Sequence, residues 1–343
     1  MAAQKAIIVT SPKQEGLVTD RGIPALRDDY ILVKTEAVAL NPTDWKHIKF
    51  LSPPGTLVGC DYTGVVQEVG NNVKKSFKKG DRVCGFVHGG NAVQPEDGAF
   101  AEYIVAKGDI QMRIPDNLNF QQAATLGVGI TTVGQALYQS LNLCLPSDPF
   151  LLIYSGSTAT GALAIQFAKL SGYTVLATCS PQNFDMVRSL GADRVFNYHD
   201  PQSAEEIRAY TCDQLRLVLD TISTEGSAAY CDSAILAEGG EYSALLDVGI
   251  ARANVNDRCT LAYSAIGEEF MFGDTPWPAS STDIEFAVKI WTLAEQFLAD
   301  GKIKVHRPKF NCGGLSGVLE GLQILKENRG RGEKFVHNMG ESS

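Results

Sequence analysis

Phe150-Leu-Leu-Ile-Tyr-Ser-Gly-Ser-Thr-Ala-Thr-Gly-Ala-Leu-Ala-Ile-Gln-Phe-Ala-Lys169 is the stretch whose reading decides the fold. Phe150–Tyr154 is a short apolar run followed by turn residues. From Ala162 the apolar spacing widens to Leu163, Ile165, Phe167 and Ala168, as a helix requires. The stretch therefore reads as strand, tight loop and helix. A strand that feeds a glycine-punctuated loop into a helix N-terminus leaves unpaired N–H groups and the positive dipole end at one spot, which suits a pyrophosphate. Against the G-x-G-x-x-G pattern, Gly156 holds the first position and Gly161 the last, but Thr158 stands where the middle glycine belongs. Taken alone, the loop fits a dinucleotide site and a plain Ser/Thr-rich turn equally well.

The residues that follow separate the two readings. A second strand, Thr174–Thr178, lies at the βαβ distance and ends in Cys179-Ser180-Pro181-Gln182-Asn183. Enzymes that prefer NAD place an Asp or Glu here, on the ribose 2′-hydroxyl. No carboxylate stands here to repel a 2′-phosphate, and Ser180 and Asn183 can donate hydrogen bonds to one. The expected cofactor is NADP, although both residues also suit the start of the next helix as caps. Strand and helix patterns then alternate through Phe184–Leu190, Arg194–Asn197, Glu205–Tyr210, Leu215–Asp220, Ser227–Ala237 and Tyr242–Leu246. Such alternation predicts an α/β fold with a doubly wound parallel sheet.

Upstream the pattern is different. Ala6–Thr10, Tyr30–Ala39, Thr63–Val69, Arg82–Val87 and Ala101–Ala106 are short strand candidates separated by turn residues, which predicts a small, β-rich, barrel-like domain. Helical spacing follows in Phe120–Ala124 and from Gly127 to Leu141, and later in Phe286–Leu298 and Leu315–Lys326. The segment after Lys302 is too short to fold alone and is expected to return to the first domain. The expected domains are therefore 1–149 joined by 300–343, and 150–299.

Composition removes several function classes. With 343 residues and 44% hydrophobic content, the chain can bury a large core. Its formal charge of −9 and lack of a basic stripe exclude nucleic acid and anionic membrane as expected partners. No signal-peptide pattern or membrane-length apolar run is present, so a cytoplasmic location is expected. The eight cysteines contain no C-x-x-C, which argues against a disulfide framework or a zinc knuckle, and most are expected to be buried small residues.

Several motifs carry a resemblance over essentially the whole chain. Ala39-Leu-Asn-Pro-Thr-Asp44, Gly59-Cys-Asp-Tyr-Thr-Gly64, Gly80-Asp-Arg-Val83, Gly98-Ala-Phe-Ala-Glu-Tyr103 and Leu190-Gly-Ala-Asp193 resemble the medium-chain dehydrogenases/reductases. Ser157-Thr-Ala-Thr160, Leu170-Ser-Gly-Tyr173, Ala177-Thr-Cys-Ser-Pro181 and Asn183-Phe-Asp185 resemble more closely the trans-acting enoyl reductases of fungal polyketide pathways, the lovastatin enoyl reductase among them. The resemblance implies a GroES-like catalytic domain beside a Rossmann domain. The implied reaction is NADPH-driven reduction of an α,β-unsaturated polyketide thioester. The implied partner is a polyketide synthase, or a synthase–peptide synthetase hybrid, with its acyl carrier domain. A free-standing quinone or enone reductase shares every one of these motifs, and a double-bond isomerase or a non-catalytic cofactor-binding scaffold can share the fold.

Zinc-dependent members of the superfamily put a Cys ligand where this chain has Asn41 and a His ligand where it has Cys60, and the four-cysteine structural zinc loop is missing. A metal-free enzyme is therefore expected. By the same resemblance, Thr43, Asp44, Trp45 and Lys46 reach the cofactor, and Lys46 is the first candidate catalytic group. A lysine after a loop is otherwise a solvated surface charge. Thr132, followed by Val133 and Gly134, is implied as a pocket residue with a possible catalytic role, or else as a threonine bonded back within its helix. Ser157, Thr158, Ala159 and Thr160 match the pyrophosphate loop. Ser180, Pro181, Gln182, Asn183 and Tyr198 match the 2′-phosphate pocket, Leu245 and Leu246 the nicotinamide strand, and Lys334 and Phe335 a C-terminal segment over the cofactor. Glu268, Glu269, Phe270, Met271 and Phe272 match a substrate-lining loop, although an apolar triplet also suits a core. Two departures stand out: Gly127 replaces a proline before the helix carrying Thr132, and Leu246 replaces a polar residue.

Overall fold

Tyr30-Ile-Leu-Val-Lys-Thr-Glu-Ala-Val-Ala39 is apolar on both faces for most of its length, and it forms a central strand of a seven-stranded sheet. Two-sided burial explains why its period-2 alternation is incomplete. In the computed structural model, which describes residues 3–143, 149–330 and 332–340, this strand pairs antiparallel with Asp61–Val69, Tyr103–Lys107 and Lys334–Asn338. Arg82–Phe86 and Gln111–Arg113 extend the sheet on one side, and Pro308–Asn311 extends it on the other. A hairpin of Ala3–Ser11 and Gln14–Gly22 covers part of it, with Ile7, Val9, Leu57 and Phe100 in one buried cluster.

The strands Pro308–Asn311 and Lys334–Asn338, near the C-terminal end of the sequence, belong to this sheet. The chain divides into two compact units, one running to Thr131 and resuming at Tyr263, the other Thr132–Ala262. The expected boundaries lay at 149/150 and 299/300. The helix Ser281–Ala299 packs against Gln111–Arg113 of the first sheet and so belongs to the first unit. Its Trp291, fully buried, donates from Nε1 to the Thr131 hydroxyl at 3.1 Å.

The second unit is a parallel sheet of six strands. Their order is Arg194–Asn197, Thr174–Cys179, Phe150–Tyr154, Leu217–Asp220, Gly240–Ala244 and Val255–Cys259, the doubly wound 3-2-1-4-5-6 arrangement. The sixth strand, Val-Asn-Asp-Arg-Cys, pairs on one side only and exposes four of its five residues, so it has no apolar signature. Helix Gly127–Gly134 continues into a π-helical stretch, Gln135–Ser140. Of the cysteines, Cys144 lies outside the described residues. The other seven are free, with Cys60, Cys84, Cys179 and Cys231 buried and Cys212, Cys259 and Cys312 exposed.

Candidate active site

In the parallel-sheet unit, the strand Phe150–Tyr154 ends at Ser155, which adopts a left-handed φ of 64° and turns the chain sharply. The amides of Ser155 and Gly156 bond back to Thr178, to its hydroxyl at 3.0 Å and its carbonyl at 2.8 Å. Thr158, at the position of the fingerprint's middle glycine, is the N-cap of the helix Ala159–Leu170, and its hydroxyl accepts the Gly161 N–H at 3.0 Å. The helix therefore begins three residues earlier than its apolar spacing indicates. Gly161 admits no side chain, since a Cβ there would lie 2.5 Å from the Ser155 carbonyl oxygen. Ala159 and Thr160, in the first turn, have amides without an intrahelical acceptor.

The carboxyl ends of neighbouring strands are tied to this loop. Thr158 and Thr221 hydroxyls lie 3.0 Å apart, Thr221 donates to the Tyr154 carbonyl at 2.9 Å, and the Ser223 hydroxyl accepts the Leu245 N–H at 2.8 Å. Leu245 and Leu246 follow the end of Gly240–Ala244, and Leu246 is exposed. At the end of the second strand the Ser180 and Tyr198 hydroxyls meet at 3.0 Å, which joins two residues of the expected 2′-phosphate pocket. Pro181–Asn183 forms a 3-10 turn beside them, with Pro181 and Gln182 exposed. A nicotinamide dinucleotide fits this set: free helix amides, hydroxyl donors and no carboxylate between Cys179 and Asn183.

In the other unit the helix Pro42–Phe50 presents the expected 43–46 segment. Asp44 turns inward, fully buried, and its carboxylate accepts the Asn41 N–H at 2.6 Å. Burial chiefly, with Asp61 adding, pushes Asp44 up to about 7, against the opposing Asn41 N–H. Thr43 contacts the Tyr263 hydroxyl at 2.6 Å. The Trp45 indole nitrogen is buried and has no hydrogen-bond partner among the described residues. Lys46 is half-buried and has no acidic partner among the described residues, and burial lowers its pKa. Its ammonium sits 5.8 Å from the Trp45 ring centroid.

Several groups near this helix carry no recognisable sequence signal. Tyr263 stacks on His88 at 4.0 Å between centroids and lies against His47 at 4.8 Å. Both histidines are buried; burial lowers His47 to about 4, and burial, with His47 adding, lowers His88 well below its ordinary value. Phe270 packs edge-on against His88 and stacks on Trp277. Met271 and Phe272 are partly exposed, and Glu269 is exposed. Glu268 is committed elsewhere: Tyr30 donates to it at 2.8 Å and Lys107 at 2.7 Å. Thr132, Val133 and Gly134 are buried within their helix. Phe335 is a core residue, and the Lys334 ammonium points inward to Asp61 and Asn41, at 2.5 Å from each.

The sequence matches the alcohol dehydrogenase GroES-like domain over residues 27–116 and the zinc-binding dehydrogenase family over residues 159–245. It is 65% identical over 275 residues to trans-enoyl reductase TOXD of Cochliobolus carbonum, covering 79% of this chain and 93% of that protein. It is 49% identical over 353 residues to trans-enoyl reductase resD of Aspergillus sclerotiorum, covering 97% and 99%. The chain belongs to the trans-enoyl reductases of the medium-chain dehydrogenase/reductase family. An alcohol dehydrogenase superfamily protein from Novosphingobium aromaticivorans shares the fold, with a TM-score of 0.82 at 21% identity over 97% of this chain and 99% of that one.

For a trans-enoyl reductase whose nucleotide domain matches a zinc-binding family, the donor set at the expected zinc position is a poor fit to that ion. The Asn41 amide nitrogen donates to Asp61 at 2.9 Å and its oxygen accepts from Lys334. The Cys60 thiol is pushed well up by burial, with Asp44 and Asp61 adding, whereas a zinc ligand must be thiolate. Among the described residues no group of three or more His, Cys, Asp or Glu can hold a metal ion. Likewise, among those residues no helix is long and apolar enough to cross a membrane.

Proposed function

We propose that this trans-enoyl reductase uses NADPH to reduce the α,β double bond of a polyketide thioester held on the acyl carrier domain of a partner polyketide synthase, or of a synthase–peptide synthetase hybrid. We place this reaction in cytoplasmic secondary-metabolite biosynthesis and without a metal. The observation that carries the reading is the 49% identity to a named trans-enoyl reductase across 97% of the chain. When bound, the reduced nicotinamide supplies a hydride to the substrate β-carbon. The chain must then hold the dinucleotide, stabilise negative charge at the thioester carbonyl and allow a proton to reach the α-carbon.

Each task has a candidate. Ser157, Thr158, Ala159 and Thr160 offer amides and hydroxyls to the pyrophosphate. Ser180, Asn183 and Tyr198 offer hydroxyl and amide donors to the 2′-phosphate, supported by the Ser180–Tyr198 contact. Lys46 is the donor for the developing enolate: lacking an acidic partner, its charge is not neutralised by a neighbour. One well-placed donor is worth about 10²–10³ in rate. Thr132 is the second candidate, and the partly exposed Met271 and Phe272 suit an acyl chain.

The test mixes the protein with NADPH and one enoyl substrate in two forms, tethered to a carrier domain and free, and follows NADPH consumption. Preferential consumption with the tethered form supports the proposal. Equal turnover of a free enone would instead support a reductase of diffusible substrates.

A further inference from the structure

Asp61 is completely buried, and each of its carboxylate oxygens is used. Oδ2 receives the Lys334 ammonium at 2.5 Å and the Asn41 amide at 2.9 Å, while Oδ1 receives the Val128 N–H at 2.6 Å. Asn41 is the N-cap of the helix Pro42–Phe50, which carries Lys46. Val128 is in the first turn of the helix Gly127–Gly134, which carries Thr132. Lys334 opens the strand Lys334–Asn338, the C-terminal addition to the sheet. One carboxylate therefore ties two helix N-termini to the last strand. The packing leaves no slack: a Cβ on Gly127 would fall 2.4 Å from Asp61 Oδ1 and equally close to the Gly85 carbonyl oxygen. Gly127, which departs from the proline of the family it resembles, has no room for a side chain here. A buried charge is tolerated only when paired and hydrogen-bonded, and here a single ammonium neutralises it.

We propose that Lys334 and Asp61 are positioning residues that hold the Lys46 helix and the Thr132 helix in place through Asn41 and Val128, with the Lys334 ammonium acting inside the unit rather than on the cofactor. The assignment of a reaction to those helices rests on the enoyl reductase reading above; the positioning itself does not.

The test uses the full chain without cofactor, then with it. Amide hydrogen exchange is measured for wild type, Lys334→Met and Asn41→Ser. Asn41→Ser keeps both charges paired and a good N-cap oxygen, so it remains informative where Lys334→Met does not fold. The expected result for Lys334→Met is at least tenfold faster exchange in both helices, Val128 included. For Asn41→Ser it is faster exchange in Pro42–Phe50 alone. In the loaded protein, Asn41→Ser should lower single-turnover reduction at least tenfold while NADPH affinity, substrate KM and melting temperature stay within about twofold or a few degrees of wild type. Wild-type exchange in both helices of the variants, or loss of NADPH affinity as the main effect of Lys334→Met, would overturn the inference. A wild type that reduces no enoyl substrate would refute the functional reading while leaving the exchange result to decide this one.

Discussion

Asp44→Asn and His47→Gln should tilt the pH dependence of stability in opposite directions. Asp44 and Asp97 are buried acids pushed up to about 7, chiefly by burial. Each keeps its proton in the folded chain up to that pH, whereas the unfolded chain releases it near 4, so the stability each supplies in acid is lost as pH rises from 4 to 7. His47 and His306 are buried bases lowered to about 4 by burial. They charge first in the unfolded chain, so the stability they supply above 6.5 is lost as pH falls towards 4. Between pH 7.5 and 5, linkage gives on the order of 2 kcal/mol of gain for each aspartate and a similar loss for each histidine. The two effects oppose each other, and His88 adds to the loss. The wild type should therefore show a shallow dependence. Asp44→Asn, which retains an acceptor for the Asn41 N–H, should lose about 2 kcal/mol relative to wild type on going from pH 7.5 to 5; His47→Gln should gain a similar amount. Urea unfolding followed by tryptophan fluorescence at the two pH values measures this, because Trp45, Trp277 and Trp291 all lie in the unit that holds these groups. A variant-to-wild-type difference that does not change with pH would refute the reasoning.

Lys46→Ala should lower single-turnover reduction by about 10²–10³ at saturating NADPH. Its melting temperature and NADPH affinity should hold; an unchanged rate would move the wager to Thr132. NADPH should bind more tightly than NADH, and Ser180→Ala combined with Tyr198→Phe should narrow the gap; equal affinities for the wild type by titration would contradict the pocket assignment. Exhaustive chelation should leave activity intact, since Asn41 and Cys60 are poor zinc donors in this setting; stoichiometric zinc lost together with activity would contradict it.

The parts of the fold legible in the sequence are those with strong local periodicity. Phe150–Tyr154 and Thr174–Cys179 are apolar runs buried between helices, and each pairs where the βαβ spacing puts it. Val255–Cys259 escapes notice because it is polar and largely exposed, and Gln14–Gly22 because it is mostly polar with no fully buried residue; backbone pairing more than side-chain burial makes them strands. The helix Ser281–Ala299 has a clear period, but a period does not say which sheet it covers. Around the proposed nucleotide loop, what the sequence makes legible is the strand, the turn and the helix N-terminus, because each has a local signature. Asp61–Lys334 and Thr43–Tyr263 were not, because each joins segments far apart in the chain, and a polar pair made by tertiary packing has no sequence period. Glu268 is a similar case: its hydrogen bonds from Tyr30 and Lys107 join segments far apart in the chain and carry no sequence signal.

Transfer of a label from cofactor to substrate tests the central claim most directly. The protein is given NADPH deuterated at the transferable position and a carrier-tethered α,β-unsaturated polyketide thioester, and the released acyl chain is analysed by mass spectrometry and NMR. Enoyl reduction requires one deuterium at the β-carbon, one solvent-derived hydrogen at the α-carbon and loss of one NADPH for each double bond removed. A product with its double bond moved and no NADPH consumed, or an acyl chain recovered without deuterium, would contradict the account.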